Sequence, residues 1–291
     1  MVATTPGRRS RGRSALLTRL WDRGGLLWAP LVIYTLFTLL PFYSLVELSL
    51  HQGGGTTGTF NFLPLPFTWS HFVDVVTQDG FGLYVRNSMI VALGTAVLDI
   101  PIAVLTGYAL SRYRFAGRQA FMLILLMTQF IPGALMIIPL FITFKVLGLL
   151  NTFIGLIVVN ATFQLPLTAI MMSGFIGSIP WELEEAAMVD GCTRLGGVVR
   201  IVVPLLRPAI VAVGSFAFVG AWDNFLFALF LVNDQNLYTV PVGLSYFLGE
   251  YNVDFAALAA GAVIAIIPVV LVFALIQRYL VGGLSAGAVK G

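Results

Sequence analysis

The stretch "RNSMIVALGTAVLDIPIAVLTGYAL", residues 86–110, decides the fold. It carries one base at its edge, Arg86, and one acid at its middle, Asp99, in an otherwise apolar run. A helix needs about 20 mainly apolar residues to cross a bilayer, and this stretch supplies them. Further stretches near 26–50, 119–146, 153–177, 205–232 and 255–281 meet the same condition. Composition agrees: hydrophobic residues make up 58% and charged residues 10%, against about 25% charged in an ordinary soluble domain. The mean hydropathy is +0.95. The expected fold is an all-α membrane protein with six transmembrane helices. Residues 1–25 form a basic tail, 26–84 a first span with an outer loop, and 85–291 a core transmembrane unit. That unit contains the loop 178–204 and the C-terminal tail 283–291.

Basic residues give the orientation, because Lys and Arg accumulate on the cytoplasmic side. Six arginines (Arg8, Arg9, Arg11, Arg13, Arg19, Arg23) crowd the first residues. Arg112, Arg114 and Arg118 lie in the next turn on that side, then Arg194, Arg200 and Arg207, then Arg278 and Lys290. Only Arg86 and Lys145 fall on the other side, both at span ends. Both termini are therefore expected in the cytoplasm. A basic tail can bind nucleic acid, but this one abuts an apolar run, so orienting that run is the favoured reading and no nucleic-acid partner is expected. The run 26–50 is too long for a signal-peptide core and no small-residue cleavage site follows, so it is expected to be retained.

The outer loop 51–85 opens with the flexible linker HQGGGTTGT and continues with Phe60, Phe62, Pro64, Pro66, Phe67 and Trp69, suited to anchoring at the membrane surface. The single Cys192 excludes an internal disulfide, and no Cys/His cluster points to a metal.

One stretch breaks the apolar pattern: "ELEEAAMVDGCTRLGGVVRIVVPLL", residues 182–206. Pro180 suits the first turn of a helix. Glu182, Glu184 and Glu185 follow where carboxylates complement the helix dipole. Asp190 precedes Gly191, a natural left-handed terminator. Thr193 can then cap a second short helix that runs toward Pro204. The spacing predicts a helix–turn–helix knuckle outside the bilayer. Ala186 and Ala187 are small enough to admit another protein's surface, although a solvated amphipathic loop fits the same residues.

The pattern Glu185-Ala186-Ala187, three residues, Gly191, nine residues, Ile201, one residue, Val203-Pro204 resembles the EAA loop of bacterial ABC-importer permeases, with Val203 where that family has leucine. "NSMIVAL" (87–93), "GYALSRYRFAGRQ" (107–119), "LGLLNTFIGLI" (147–157), "AWDNFLFALFL" (221–231) and "GLSAGAVKG" (283–291) are similar to the carbohydrate branch, of maltose-permease G type. The resemblance implies a permease subunit in a bacterial or archaeal inner membrane. It implies a homologous second permease beside it, and two ATPase subunits on the cytoplasmic side, one docked at each permease's loop, which here is residues 182–196. An extracytoplasmic solute-binding protein would deliver a sugar. ATP and Mg would then sit on the partner ATPase, with no cofactor on this chain.

The residues themselves offer no energy source. Gly282 to Lys290 lacks the Lys-Ser/Thr that would hold phosphate and magnesium. His51 and His71, the only histidines, fall in the outer loop with no nucleophile beside them. Polar residues at membrane depth are costly and so are candidates for the translocation path: Asp99, Gln129, Gln164, Asp223 and Asn224. Each equally fits interhelical hydrogen bonding. Asp99 has no base in its own span and would be protonated or paired with a partner subunit. Pro101, Pro132, Pro139 and Pro166 are expected to bend or break their spans. The same machinery could carry a glycerol phosphate or an amino sugar, although anions would want bases in the path. A secondary transporter would show internal repeats, and none is evident. A membrane glycosyltransferase would need clustered acids or a metal at one face, which the scattered acids do not supply.

Overall fold

The computed structural model describes residues 25–52, 66–77, 80–248 and 253–288. The arginine tail, the Gly-rich stretch 53–58 with Phe60, Phe62 and Pro64, and Lys290 lie outside the described residues. The helices are α1 (Gly25–Leu50), α2 (Ser70–Thr77), α3 (Phe81–Arg112), α4 (Arg118–Thr128), α5 (Gly133–Val146), α6 (Phe153–Gly177), α7 (Glu182–Val189), α8 (Arg194–Gly197), α9 (Arg207–Trp222), α10 (Leu226–Leu231), α11 (Val240–Tyr246) and α12 (Phe255–Ala288). A π-helical turn, Val198–Val202, and a last turn, Val203–Leu205, lead α8 toward α9. Among the described residues there is no strand, only the isolated bridges His51–Phe67 and Leu248–Val253.

Four helices are long and apolar enough to cross a membrane: the Trp28–Leu50 part of α1, α3, α6 and the Phe255–Gln277 part of α12. Two bent pairs raise the number to six if each counts as one crossing. The stretch 119–146, expected as one helix, is two helices that meet at 95°. Pro132 causes the break: it has no N–H to donate, and its extended ψ of 124° starts a new helix. At ~1.5 Å per residue, α4 and α5 are about 16 and 21 Å long, each short of a hydrocarbon core of about 30 Å. The fifth stretch is also interrupted. It bends by 77° between Leu205 and Arg207, and α9 ends at Trp222, ahead of α10. Pro101, Pro139 and Pro166, by contrast, sit inside continuous helices.

The core is built on α3 crossing α6. Gly107 permits a close backbone approach, since a Cβ there would lie 2.8 Å from the backbone nitrogen of Ser173. Small residues at such crossings let backbones meet and gain dispersion energy. Around the crossing, Ala103, Val104, Met172, Ile176, Val202 and Val213 form an apolar cluster joining α3, α6, α9 and the π turn. In contrast, none of α1's spanning window is buried. It leans on α12, with Phe42, Leu45 and Val46 facing Val263, Ile267 and Leu271 across an apolar groove.

The connections gather at the two ends of α3. Its N-terminal end meets α2, the turn around Leu149 and Leu150, and residues 231–240. Its C-terminal end meets the 178–206 region. Arg112, Arg114, Arg118, Arg194, Arg200 and Arg207 all belong to the second end, and Arg86 and Lys145 to the first.

Candidate functional site

The loop 178–206 folds as the knuckle its residues predict, with one shift at its start. Pro180 lies just before the helix rather than in its first turn, and Trp181, with helical dihedrals, caps α7. Gly191 adopts φ 87°, and two bonds close α7 behind it: Gly191 N–H to Met188 C=O at 3.1 Å, and Cys192 N–H to Ala187 C=O at 2.9 Å. This is the double-bonded helix terminator that wants glycine. A Cβ at Gly191 would meet nothing within 4 Å, so the φ angle, not space, demands glycine. Thr193 caps α8 by accepting the Gly196 N–H at 3.1 Å. Downstream, Pro204 removes a donor and the ladder slips into a π turn before the bend.

Helix phase then sorts the loop residues. Glu182, Glu185, Ala186, Asp190, Gly191 and Pro204 are exposed, Ile201 is half-buried, and Glu184 and Ala187 are buried. Between the acids, Leu183 is 42% exposed and Val189 88%. A flank of α8 and the π turn adds Leu195 at 67% and Val199 at 58%. The outward surface thus mixes exposed apolar side chains with the carboxylates of α7 and the bases Arg194 and Arg200. Such a surface suits protein contact: the apolar part supplies burial, and the charges supply orientation.

Glu184 turns the other way, onto the C-terminal end of α3. Its Oε1 lies 2.7 Å from Arg112 Nε, with both side chains under a tenth exposed. That N–H does not aim at the oxygen, so the contact is charge pairing rather than a hydrogen bond. Tyr108 Oη donates to Glu184 Oε2 at 2.8 Å. Arg112 Nη2 donates to Ile179 C=O at 2.9 Å, and the guanidinium lies over the Trp181 ring at 5.3 Å. Trp181 Nε1 donates in turn to Glu185 Oε1 at 2.8 Å. The pairing also suits both dipoles, with a cation in the last turn of α3 and an anion in the first turn of α7. A second contact joins Arg194 to Tyr113, ring centroid at 5.4 Å. The hydrogen bond with Tyr113 raises the Arg194 guanidinium above its ordinary value.

The polar residues at membrane depth occupy separate environments. Asp99 is fully buried, and neither carboxylate oxygen has a hydrogen bond. Thr168 of α6 is beside it, but that hydroxyl donates to the Gln164 and Leu165 carbonyls. A counter-charge from a partner subunit has no access to Asp99 in this conformation, because its own chain encloses it. Gln129 is exposed, donates to Phe163 C=O at 3.1 Å, and lines a cavity of about 170 Å³ with Thr128, Thr162 and Pro166. The Gln164 amide lies against Gly220 of α9, where a Cβ would collide with it. Asp223 is exposed at the end of α9. Asn224 Oδ1 accepts the Phe227 N–H at 3.0 Å, so the break before α10 is capped from within.

At the opposite end of α3, residues valued in the sequence only for resemblance prove to be fasteners. Buried Asn87 donates to Asn236 C=O at 2.8 Å and Tyr238 C=O at 2.9 Å. Ser88 Oγ accepts the Val240 N–H at 2.8 Å. Asn151, held at φ 56°, accepts the N–H groups of Asn233 at 2.6 Å and Asp234 at 3.3 Å. The segment following the broken fifth stretch is thereby pinned to α3 and to the α5–α6 turn. Among the described residues no group of His, Cys, Asp and Glu could hold a metal.

Comparison with known proteins places this architecture. Residues 99–285 match the family described as binding-protein-dependent transport system inner membrane component. The sulfoquinovosyl glycerol transport system permease protein of Agrobacterium fabrum is 36% identical over 78% of this chain and 82% of its own length. The trehalose transport system permease protein of Mycobacterium tuberculosis is 32% identical over 88% of this chain and 93% of its own. Among solved structures, a bacterial ABC transporter involved in import of the acidic polysaccharide alginate superposes with TM-score 0.76. It is 25% identical, and the match covers 94% of this chain and 99% of that one. With the helical core, the two bent pairs and the knuckle already in place, these matches settle the assignment: the chain belongs to the binding-protein-dependent transport system inner membrane components.

Proposed function

We propose that this chain is half of the membrane path of an ATP-driven sugar importer. In this reading it crosses the inner membrane six times, each bent pair counting as one crossing, with both termini in the cytoplasm. It pairs with a homologous permease, docks an ATPase subunit on its knuckle while its partner docks a second, and receives sugar from an extracytoplasmic binding protein. ATP and Mg belong to the ATPase. The observation that carries the reading is the outward face of the knuckle. It gathers Glu182, Leu183, Glu185, Ala186 and Val189 beside Arg194 and Arg200, at the end of the molecule that also holds Arg112, Arg114 and Arg118. Relatives named for sulfoquinovosyl glycerol, trehalose and diacetylchitobiose transport support a sugar as cargo. A structure named as an alginate transporter in complex with a pentasaccharide-bound periplasmic protein shares the fold at TM-score 0.64, which is compatible with a delivering protein.

The test is reconstitution of this chain with its partner permease, ATPase and binding protein in proteoliposomes. ATP-dependent uptake from a panel of labelled sugars is expected. Uptake by this chain alone, without the ATPase, overturns the reading. Glu185→Lys and Gly191→Pro are expected to abolish uptake and weaken ATPase co-purification while leaving membrane insertion intact.

A further inference from the structure

We infer that Glu184 faces away from the ATPase and, with Arg112 and Tyr108, forms the joint through which the knuckle moves α3. The inference rests on the docking role proposed above and deepens it. Three acids crowd α7, and only Glu184 is buried, at 4% exposure. A carboxylate is not withdrawn from water without compensation, and here the compensation comes from a different helix. Arg112 and Tyr108 are one turn apart on α3, the i, i+4 spacing that puts two side chains on one face, and together they take both oxygens of Glu184. Arg112 also holds the entry to α7, through Ile179 C=O and the Trp181 ring. Trp181 in turn donates to exposed Glu185. A continuous set of contacts therefore leads from the docking face, through Glu185, Trp181 and Arg112, into α3.

The covalent route onward from α7 to α9 is poorer. From α7 the chain passes the left-handed turn at Gly191, the π turn and a 77° bend before it reaches α9. Each is a place where displacement is absorbed by backbone rotation. The ion pair bypasses all three. A coupling element of this kind needs two properties: stiffness, which burial and charge supply, and contact with two bodies that move relative to one another. Glu184 is thus a positioning residue for transport and touches neither sugar nor ATPase.

The experiment uses the assembled transporter in proteoliposomes and reads ATP hydrolysis and sugar uptake together. Glu184→Gln and Arg112→Gln are expected to keep the ATPase bound and hydrolysing, while sugar imported per ATP falls roughly tenfold or more, the scale of a lost interaction of about 1.4 kcal/mol or greater. Tyr108→Phe, which deletes one hydrogen bond, is expected to give a smaller fall in the same ratio. The charge exchange Arg112→Glu with Glu184→Arg is expected to recover part of it. An unchanged ratio in Glu184→Gln overturns the inference. So does an equal fall in hydrolysis, uptake and melting temperature, which marks a merely structural pair. Loss of ATPase co-purification in Glu184→Gln from a folded chain also overturns it, by placing Glu184 on the docked surface. Failure of the unaltered chain to bind any ATPase would instead remove the docking role itself, a result separable from all of these.

Discussion

The two ends of α3 are fastened by different chemistry. At the N-terminal end, Asn87 and Ser88 bind backbone atoms of residues 236, 238 and 240, so the partner's side chains are immaterial to the grip. At the C-terminal end the grip centres on side chains, a buried ion pair with a tyrosine hydroxyl, and Arg112 adds one bond to the Ile179 carbonyl. About 30 Å separates Asn87 from Tyr108 along the helix, the depth of a hydrocarbon core. Backbone fasteners suit a closure that holds one shape. A charge pair between two helices suits a joint that transmits force and tolerates re-aiming, because attraction between ions falls off gradually with distance whereas a hydrogen bond is lost within a few tenths of an ångström.

Substitutions that leave a buried charge alone should show the contrast most strongly. Arg112→Ala strands Glu184, and breaking a buried pair costs about 3–5 kcal/mol; a large drop in the melting temperature of the detergent-solubilised chain is expected. Removing both partners, Arg112→Leu with Glu184→Leu, should restore most of that stability without restoring import. If the double variant is as unstable as the single, the pair is not the charge-balanced unit described here. At the other end, Asn87→Ala leaves two carbonyls without their donor and should cost about 1–3 kcal/mol, measured the same way. Asn151 separates bonding from conformation: Gly at 151 keeps the positive φ and loses about 1 kcal/mol of hydrogen bonding, while Ala adds a further ~1 kcal/mol of backbone strain. Equal melting temperatures for the two variants would mean that φ is not the constraint.

The same contrast explains what could be read from the sequence. Apolar runs announced the spans because bilayer thickness sets a length that composition alone reveals. Gly191 and Thr193 announced the knuckle because turns and caps depend on local residues. The 95° elbow was only half legible: Pro132 marks a break, but its angle is set by how α4 and α5 pack. Nothing in the run Glu182, Glu184, Glu185 says which acid turns inward. That phase is fixed by Tyr108 and Arg112, some seventy residues earlier in the chain. Asn87, Ser88 and Asn151 were invisible as fasteners for a simpler reason. Their partners are main-chain groups, which leave no pattern in the side chains opposite. The same limit applies to Asp99: its place along the third helix was readable, its enclosure against α6 was not.

Gly107 sets how near α3 and α6 can come. Any side chain there would lie 2.8 Å from the Ser173 backbone nitrogen, so even Gly107→Ala must part the two helices. Arg112 lies about 7 Å along the helix from that point and Asn87 about 30 Å, at ~1.5 Å per residue, so the parting bears first on the end that holds the knuckle.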